Sequence, residues 1–141
     1  MKIVQLITLV SFIILFSFSC ESSIINENVK NLNQITETAK DINVSEFKEL
    51  INFGSIILDV RRPVEFNAGH LENAININYF DNDFITQVSK LDKSKTLLIH
   101  CASGGRSSAA MNKLKGNDFS IMYNMLGGFS VWEKSGFKVV K

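Results

Sequence analysis

The chain has 141 residues, 45% of them apolar and 21% charged, with a formal net charge of +1. That is enough apolar material for one packed domain with a short appendage. A near-neutral balance without a dense Lys/Arg stripe excludes the electrostatic footprint of a nucleic-acid binder, and a single proline excludes collagen-like and proline-rich classes.

Lys2 precedes the run IVQLITLVSFIILFSF, residues 3–18, whose polar positions are Gln5, Thr8, Ser11 and Ser17. A positive tip, a short apolar core and small residues before a cut site describe a secretory signal. The run is shorter than the roughly 20 residues of a comfortable membrane span. SFSC, residues 17–20, resembles a bacterial lipobox, although Ser17 and Phe18 depart from its commonest pattern. The expectation is a signal peptide over residues 1–19 and a lipidated Cys20, anchoring the protein to a membrane of the cell envelope and facing the periplasm or exterior. Ordinary secretion and an uncleaved anchor are the alternatives. The polar stretch that follows, through residue 40, reads as a tether, with the folded domain over residues 41–141.

From Asp41 onward, apolar bursts alternate with amphipathic stretches. A brief strand opens the domain. Ser45 or Asn43 can then cap a helix through Ile51 that places Phe47, Leu50 and Ile51 on one side. SIILDV (55–60) and AININ (74–78) read as strands, and DNDFITQVSKL (81–91) as a helix with Phe84, Val88 and Leu91 on one face. TLLIHC (96–101) is the clearest buried strand, followed by a helix in SSAAMNKL (107–114) and a strand in FSIMYNM (119–125). GGFSVWEKSG closes the chain as a turn and a short helix that packs Phe129 and Trp132 inward. Continuous apolar strands separated by helices predict an α/β fold, an open, mostly parallel sheet with helices on both faces. Ligands bind such sheets at the carboxyl ends of the strands.

Cys101 lies at such an end. Gly104 and Gly105 let the backbone turn tightly and approach an anion closely. Ser107 and Ser108 open a helix whose unpaired amides and dipole favour negative charge. Arg106 adds a permanent cation. These surroundings predict a lowered thiol pKa and a usable nucleophile. Free cysteine is often an inert buried filler, but a filler has no need of glycines, an arginine and a helix start beside it.

The motifs ILDVR (57–61), EFNAGHLENAININ (65–78), CASGGRS (101–107) and LGGFSVWEKSG (126–136) stand in one order and spacing. Together they resemble the rhodanese-homology domain family, of the single-domain sulfurtransferase kind. The resemblance implies that Cys101 accepts a sulfane sulfur as a persulfide and passes it to a nucleophile. It implies that the loop of Ala102, Ser103, Gly104, Gly105 and Arg106 surrounds the sulfur with amides and that Arg106 helps bind an anionic donor such as thiosulfate. Ser107 corresponds to the helix-opening position that supports the loop. Asp59 and Arg61 match an Asp-x-Arg signature expected to brace it, and Glu65, Gly69 and His70 match a segment of mainly structural role.

His70 and His100 offer no compact ligand set for zinc, which needs about four, so neither a metal nor a cofactor is expected. Strand alternation turns His100 away from the adjacent Cys101 and suggests a packing role. Cysteine phosphatases resemble this loop but place five residues between cysteine and arginine, where this chain has four, ASGG. The shorter ring suits one sulfur atom better than a phosphoryl group. With no second thiol in the loop, dithiol exchange is excluded. The expected partners are a small anionic sulfur donor and a thiol or protein acceptor, served by a monomer. A non-catalytic rhodanese-like binding or sulfur-carrier module is the alternative.

Overall fold

The computed structural model describes residues 38–141; the apolar N-terminal run, Cys20 and the polar stretch through residue 37 lie outside the described residues. Strands β1 (Thr38–Ile42), β2 (Ile56–Asp59), β3 (Ile75–Asn76), β4 (Leu97–His100) and β5 (Ile121–Met125) form one sheet in the order β1-β5-β4-β2-β3. Each pairing in it is parallel. Parallel neighbours need crossovers, which run through helices α1 (Val44–Ile51), α2 (Pro63–Ala68), α3 (Phe84–Val88) and α4 (Gly105–Lys113), while α5 (Gly128–Lys134) follows the last strand.

Alternation along the strands sorts the apolar side chains into two cores. Leu58, Leu97, Ile99 and Met122 pack with Phe84 of α3 and Met111 of α4. Ile57, Leu98 and Met125 pack on the other face with Phe47 of α1 and Trp132 of α5. The sheet is thus covered on both sides. β4 is buried at every position, the burial expected of a central strand.

Several boundaries differ from the sequence expectation. β1 takes up Thr38–Lys40, so the domain begins inside the stretch read as tether. Its pairing with β5, from Thr38↔Ile121 to Ile42↔Met125, supplies backbone hydrogen bonds that its polar composition does not advertise. Asn43, rather than Ser45, caps α1: its Oδ1 accepts from the Ser45 and Glu46 amides at 2.9 and 3.0 Å, while Glu46 accepts from the Asn43 amide. Helix α2 has no buried residue, hence no apolar period to betray it. Pro63 at its start and Glu65 accepting from the Arg62 amide at 3.0 Å define it instead. Helix α4 starts two residues before Ser107, with Gly104 as its cap. Among the described residues no helix is long and apolar enough to cross a membrane.

His100 ends β4 with no exposed surface. Its ring meets the edge of Phe47 and stacks with Phe129, at centroid distances of 6.2 and 6.5 Å. Burial is the main influence that lowers its pKa to about 4, with Asp59 opposing and Arg61 assisting. The imidazole is therefore neutral in the fold at pH 7. The unfolded chain takes up that proton near pH 6.5. Stability from this group is complete above pH 6.5 and is lost as the pH falls toward 4, by about 3 kcal/mol through linkage. Urea unfolding at a series of pH values should show this slope, and His100→Phe should flatten it; an unchanged slope would contradict a neutral, buried His100.

Candidate active site

Cys101 follows β4 at the carboxyl end of the central strand and is 1% exposed. Three residues carry the chain from its sulfur to α4. Gly104 turns it with φ +100°, a conformation that favours glycine, and a Cβ there would lie a tight 3.3 Å from the Gly127 nitrogen. The turn aims the Gly104 amide back at the Cys101 Sγ, to which it donates at 3.2 Å. The buried Ser107 hydroxyl lies 3.5 Å from Sγ and 3.1 Å from the Gly104 carbonyl oxygen, its single proton serving one acceptor at a time.

Burial is the strongest single influence on the Cys101 thiol and pushes its pKa up. The Ser107 hydroxyl and the amides of Ser107, Ser103 and Gly104 together outweigh it, holding the pKa below that of an ordinary thiol. The early start of α4 puts the Ser107 amide in its first turn, where it has no partner within the helix.

Helix α5 clamps the loop from the other side. The Phe129 amide donates to the Cys101 carbonyl at 2.7 Å, and the Ser130 amide to the Ala102 carbonyl at 3.0 Å. Gly128, at φ +57°, makes this approach possible: a Cβ there would lie 2.5 Å from the Cys101 carbonyl oxygen.

Asp59 and Arg61 lie beneath the clamp, both buried. The Arg61 Nε and Nη2 donate to the Asp59 carboxylate at 2.9 and 2.6 Å, and Nη2 also donates to the Gly69 carbonyl at 2.8 Å. The guanidinium lies 4.0 Å from the centroid of the Phe129 ring. The pair therefore reaches the loop through Phe129, whose amide holds the Cys101 carbonyl. Asn76 completes the set by donating to the carbonyls of Asp59 and Arg61 at 2.9 Å.

Arg106 stands at the rim in a bidentate pair, its two terminal nitrogens donating to Glu65 at 2.8 and 2.7 Å. Its hydrogen bonds are the main cause that holds Glu65 at about 2, against the opposing effect of burial. The hydrogen bonds to Glu65 are in turn the main cause that raises the Arg106 guanidinium pKa, against burial, with smaller contributions from the Glu65 charge and from Cys101.

Of the residues singled out in the sequence, the fold gathers Cys101, Ser103, Gly104 and Ser107 around the sulfur and sets Arg106 beside them. The Ala102 carbonyl is taken by α5, and Gly105 is exposed at the start of α4. Sequence reasoning missed three features: the Glu65 carboxylate on Arg106, the contact that requires Gly128, and the Phe129 ring against Arg61. None of the three had a local signal: Pro63 two residues before Glu65 marks a helix start and says nothing of Arg106. Ser107→Ala removes one donor to the thiolate and should raise the Cys101 pKa. The pH dependence of iodoacetamide alkylation reads this directly, and an unshifted profile would remove Ser107 from the set of stabilising donors.

Comparison with known proteins agrees with this geometry. A family model described as the rhodanese-like domain matches residues 43–135. Thiosulfate sulfurtransferase 16, a chloroplastic protein of Arabidopsis thaliana, is 35% identical over 105 residues, covering 67% of this chain and 88% of its own. Thiosulfate sulfurtransferase GlpE of Ectopseudomonas mendocina is 33% identical over 94 residues, covering 66% and 84% respectively. The crystal structure of a rhodanese-related protein from Thermoplasma volcanium superposes with a TM-score of 0.64 at 32% identity, over 72% of this chain and 97% of that one. The chain belongs to the rhodanese-like domain family.

Proposed function

We propose that the chain is a sulfurtransferase that moves a sulfane sulfur from thiosulfate or a persulfide donor to a thiol, cyanide or protein acceptor through a Cys101 persulfide. The observation that carries this reading is the Cys101 Sγ held by the Gly104 amide and near the Ser107 hydroxyl in a glycine-turned loop. Names of relatives at about one-third identity point the same way.

The reaction is covalent catalysis in two halves. The Cys101 thiolate attacks the outer sulfur of thiosulfate, the new S–S bond forms, and the bond to the sulfonate breaks to release sulfite. The negative charge then rests on the outer sulfur of the persulfide. Amides aimed at Cys101 and the first turn of α4 are suited to stabilise it. An acceptor nucleophile next attacks that outer sulfur and regenerates the thiolate, so cyanide leaves as thiocyanate. No metal or cofactor enters either half. In this reading Ser103, Gly104 and Ser107 hold the sulfur, Ala102, Gly105 and Arg106 shape the rim, and Asp59 and Arg61 position the loop through Phe129. The apolar run before Cys20 supports a lipid anchor, which would place the domain on a membrane of the cell envelope.

The test is thiocyanate formation from thiosulfate and cyanide by the full chain and by Cys101→Ser, with intact mass recorded for each. Turnover and a gain of one sulfur atom should both vanish in the variant. Persulfide without turnover would favour the sulfur-carrier alternative, and neither in folded, reduced protein would favour a binding module. The same spectrum of protein from the native envelope should show acyl chains on a chain beginning at Cys20; an unmodified Cys20 there would overturn the anchor.

A further inference from the structure

The rim of the site carries an electrostatic feature that the transfer chemistry does not require. The chain has three arginines, Arg61 and Arg62 after β2 and Arg106 in the first turn of α4, and two of them are paired with a carboxylate. Arg61 is buried against Asp59, the Gly69 carbonyl and the Phe129 ring. Arg62 is exposed, with its guanidinium over Phe80 at 5.1 Å. Arg106, whose charge couples to Cys101, gives both terminal nitrogens to the Glu65 carboxylate at 2.7 and 2.8 Å. That pair is half-buried, with side chains 23% and 31% exposed, and its net charge is zero.

A dianion approaching Cys101 thus meets a carboxylate beside the guanidinium that would otherwise attract it. Exposed apolar side chains stand on the segments that carry the pair and the loop: Val64 precedes Glu65 and is 73% exposed, Leu126, whose Cα borders Gly104, is 50% exposed, and Phe80, under the Arg62 guanidinium, is 55% exposed. Such a rim suits a carbon-bearing donor better than a compact dianion.

We infer that Glu65 is a specificity-determining residue, which neutralises Arg106 so that the site takes a low-charge sulfane-sulfur donor, an organic persulfide, ahead of dianionic thiosulfate. The inference rests on the sulfurtransferase reading above. In the step it favours, the Cys101 thiolate attacks the terminal sulfur of R–S–S⁻, the donor's S–S bond breaks, and R–S⁻ leaves as Cys101–S–S⁻ forms. Two negative charges enter and two remain, with no added oxidant or reductant.

Thiosulfate and methanethiosulfonate make the discriminating pair of probes. They present the same sulfur–sulfonyl bond but differ by one charge, a methyl group replacing an oxyanion. With cyanide as acceptor, the full-length chain should show the higher kcat/KM for methanethiosulfonate. Glu65→Gln keeps an oxygen for the Arg62 amide but removes the carboxylate charge. It should move the ratio about five- to tenfold toward thiosulfate, mainly through KM, the size expected for one unit charge a few ångströms away in a partly screened site. The shifted ratio should fall back as salt is raised. A merely structural Glu65 would change both donors alike, and an unmoved ratio overturns the inference while leaving sulfur transfer intact. If the variant does not fold, the wild type still decides: a preference for thiosulfate, with kcat/KM falling steeply in salt, overturns it. Absence of Cys101-dependent thiocyanate with both probes overturns the sulfurtransferase reading itself.

Discussion

The structure depends on one conflict: the surroundings of a thiol that is 1% exposed pull its proton affinity in opposite directions. Removal from water favours the neutral form, and here it is the largest single influence on Cys101. What reverses the balance is a set of short-range donors converging on one atom: the Gly104 amide at 3.2 Å, the Ser107 hydroxyl at 3.5 Å, and the amides of Ser103 and Ser107. Each is fixed by backbone geometry or by a buried side chain, so little reorganisation is needed when charge appears. Burial also works in favour of the site, since donors act more strongly where water is excluded.

A cradle built on a loop is only as good as what holds the loop. Here the support is layered. Helix α5 ties down the carbonyls of Cys101 and Ala102, and the Arg61 guanidinium lies against Phe129 from below. A buried ion pair costs desolvation and is tolerable when its polar atoms are satisfied. Arg61 meets that condition with Asp59 and the Gly69 carbonyl. The His70–Val140 bridge then joins the segment after Gly69 to the C-terminal tail, with mutual backbone bonds of 2.8 and 2.9 Å. The Cys101 loop is thereby tied to both the second strand and the end of the chain.

Much of this was legible in the residues, for identifiable reasons. The continuous apolar runs around Leu58 and Ile99 announced buried parallel strands. The glycines and serines after Cys101 announced a turn and a helix start. Tertiary partners were not legible, because they link residues far apart in the chain. Glu65 and Arg106 are 41 positions apart, and nothing local to either names the other. Helix α2 buries no residue and so has no period to detect, while β1 is a polar edge strand recruited by pairing with β5. The requirement for Gly128 comes from a carbonyl 27 positions earlier, visible only once α5 stands against the loop.

The most direct test of the cradle is the titration of Cys101 in the full chain, read as the thiolate ultraviolet absorbance difference between wild type and Cys101→Ser. The account predicts an inflection below that of a free cysteine, about 8.5, despite near-complete burial. An inflection at or above that value would show that burial wins over the converging donors, and the site as described could not hold a thiolate at neutral pH.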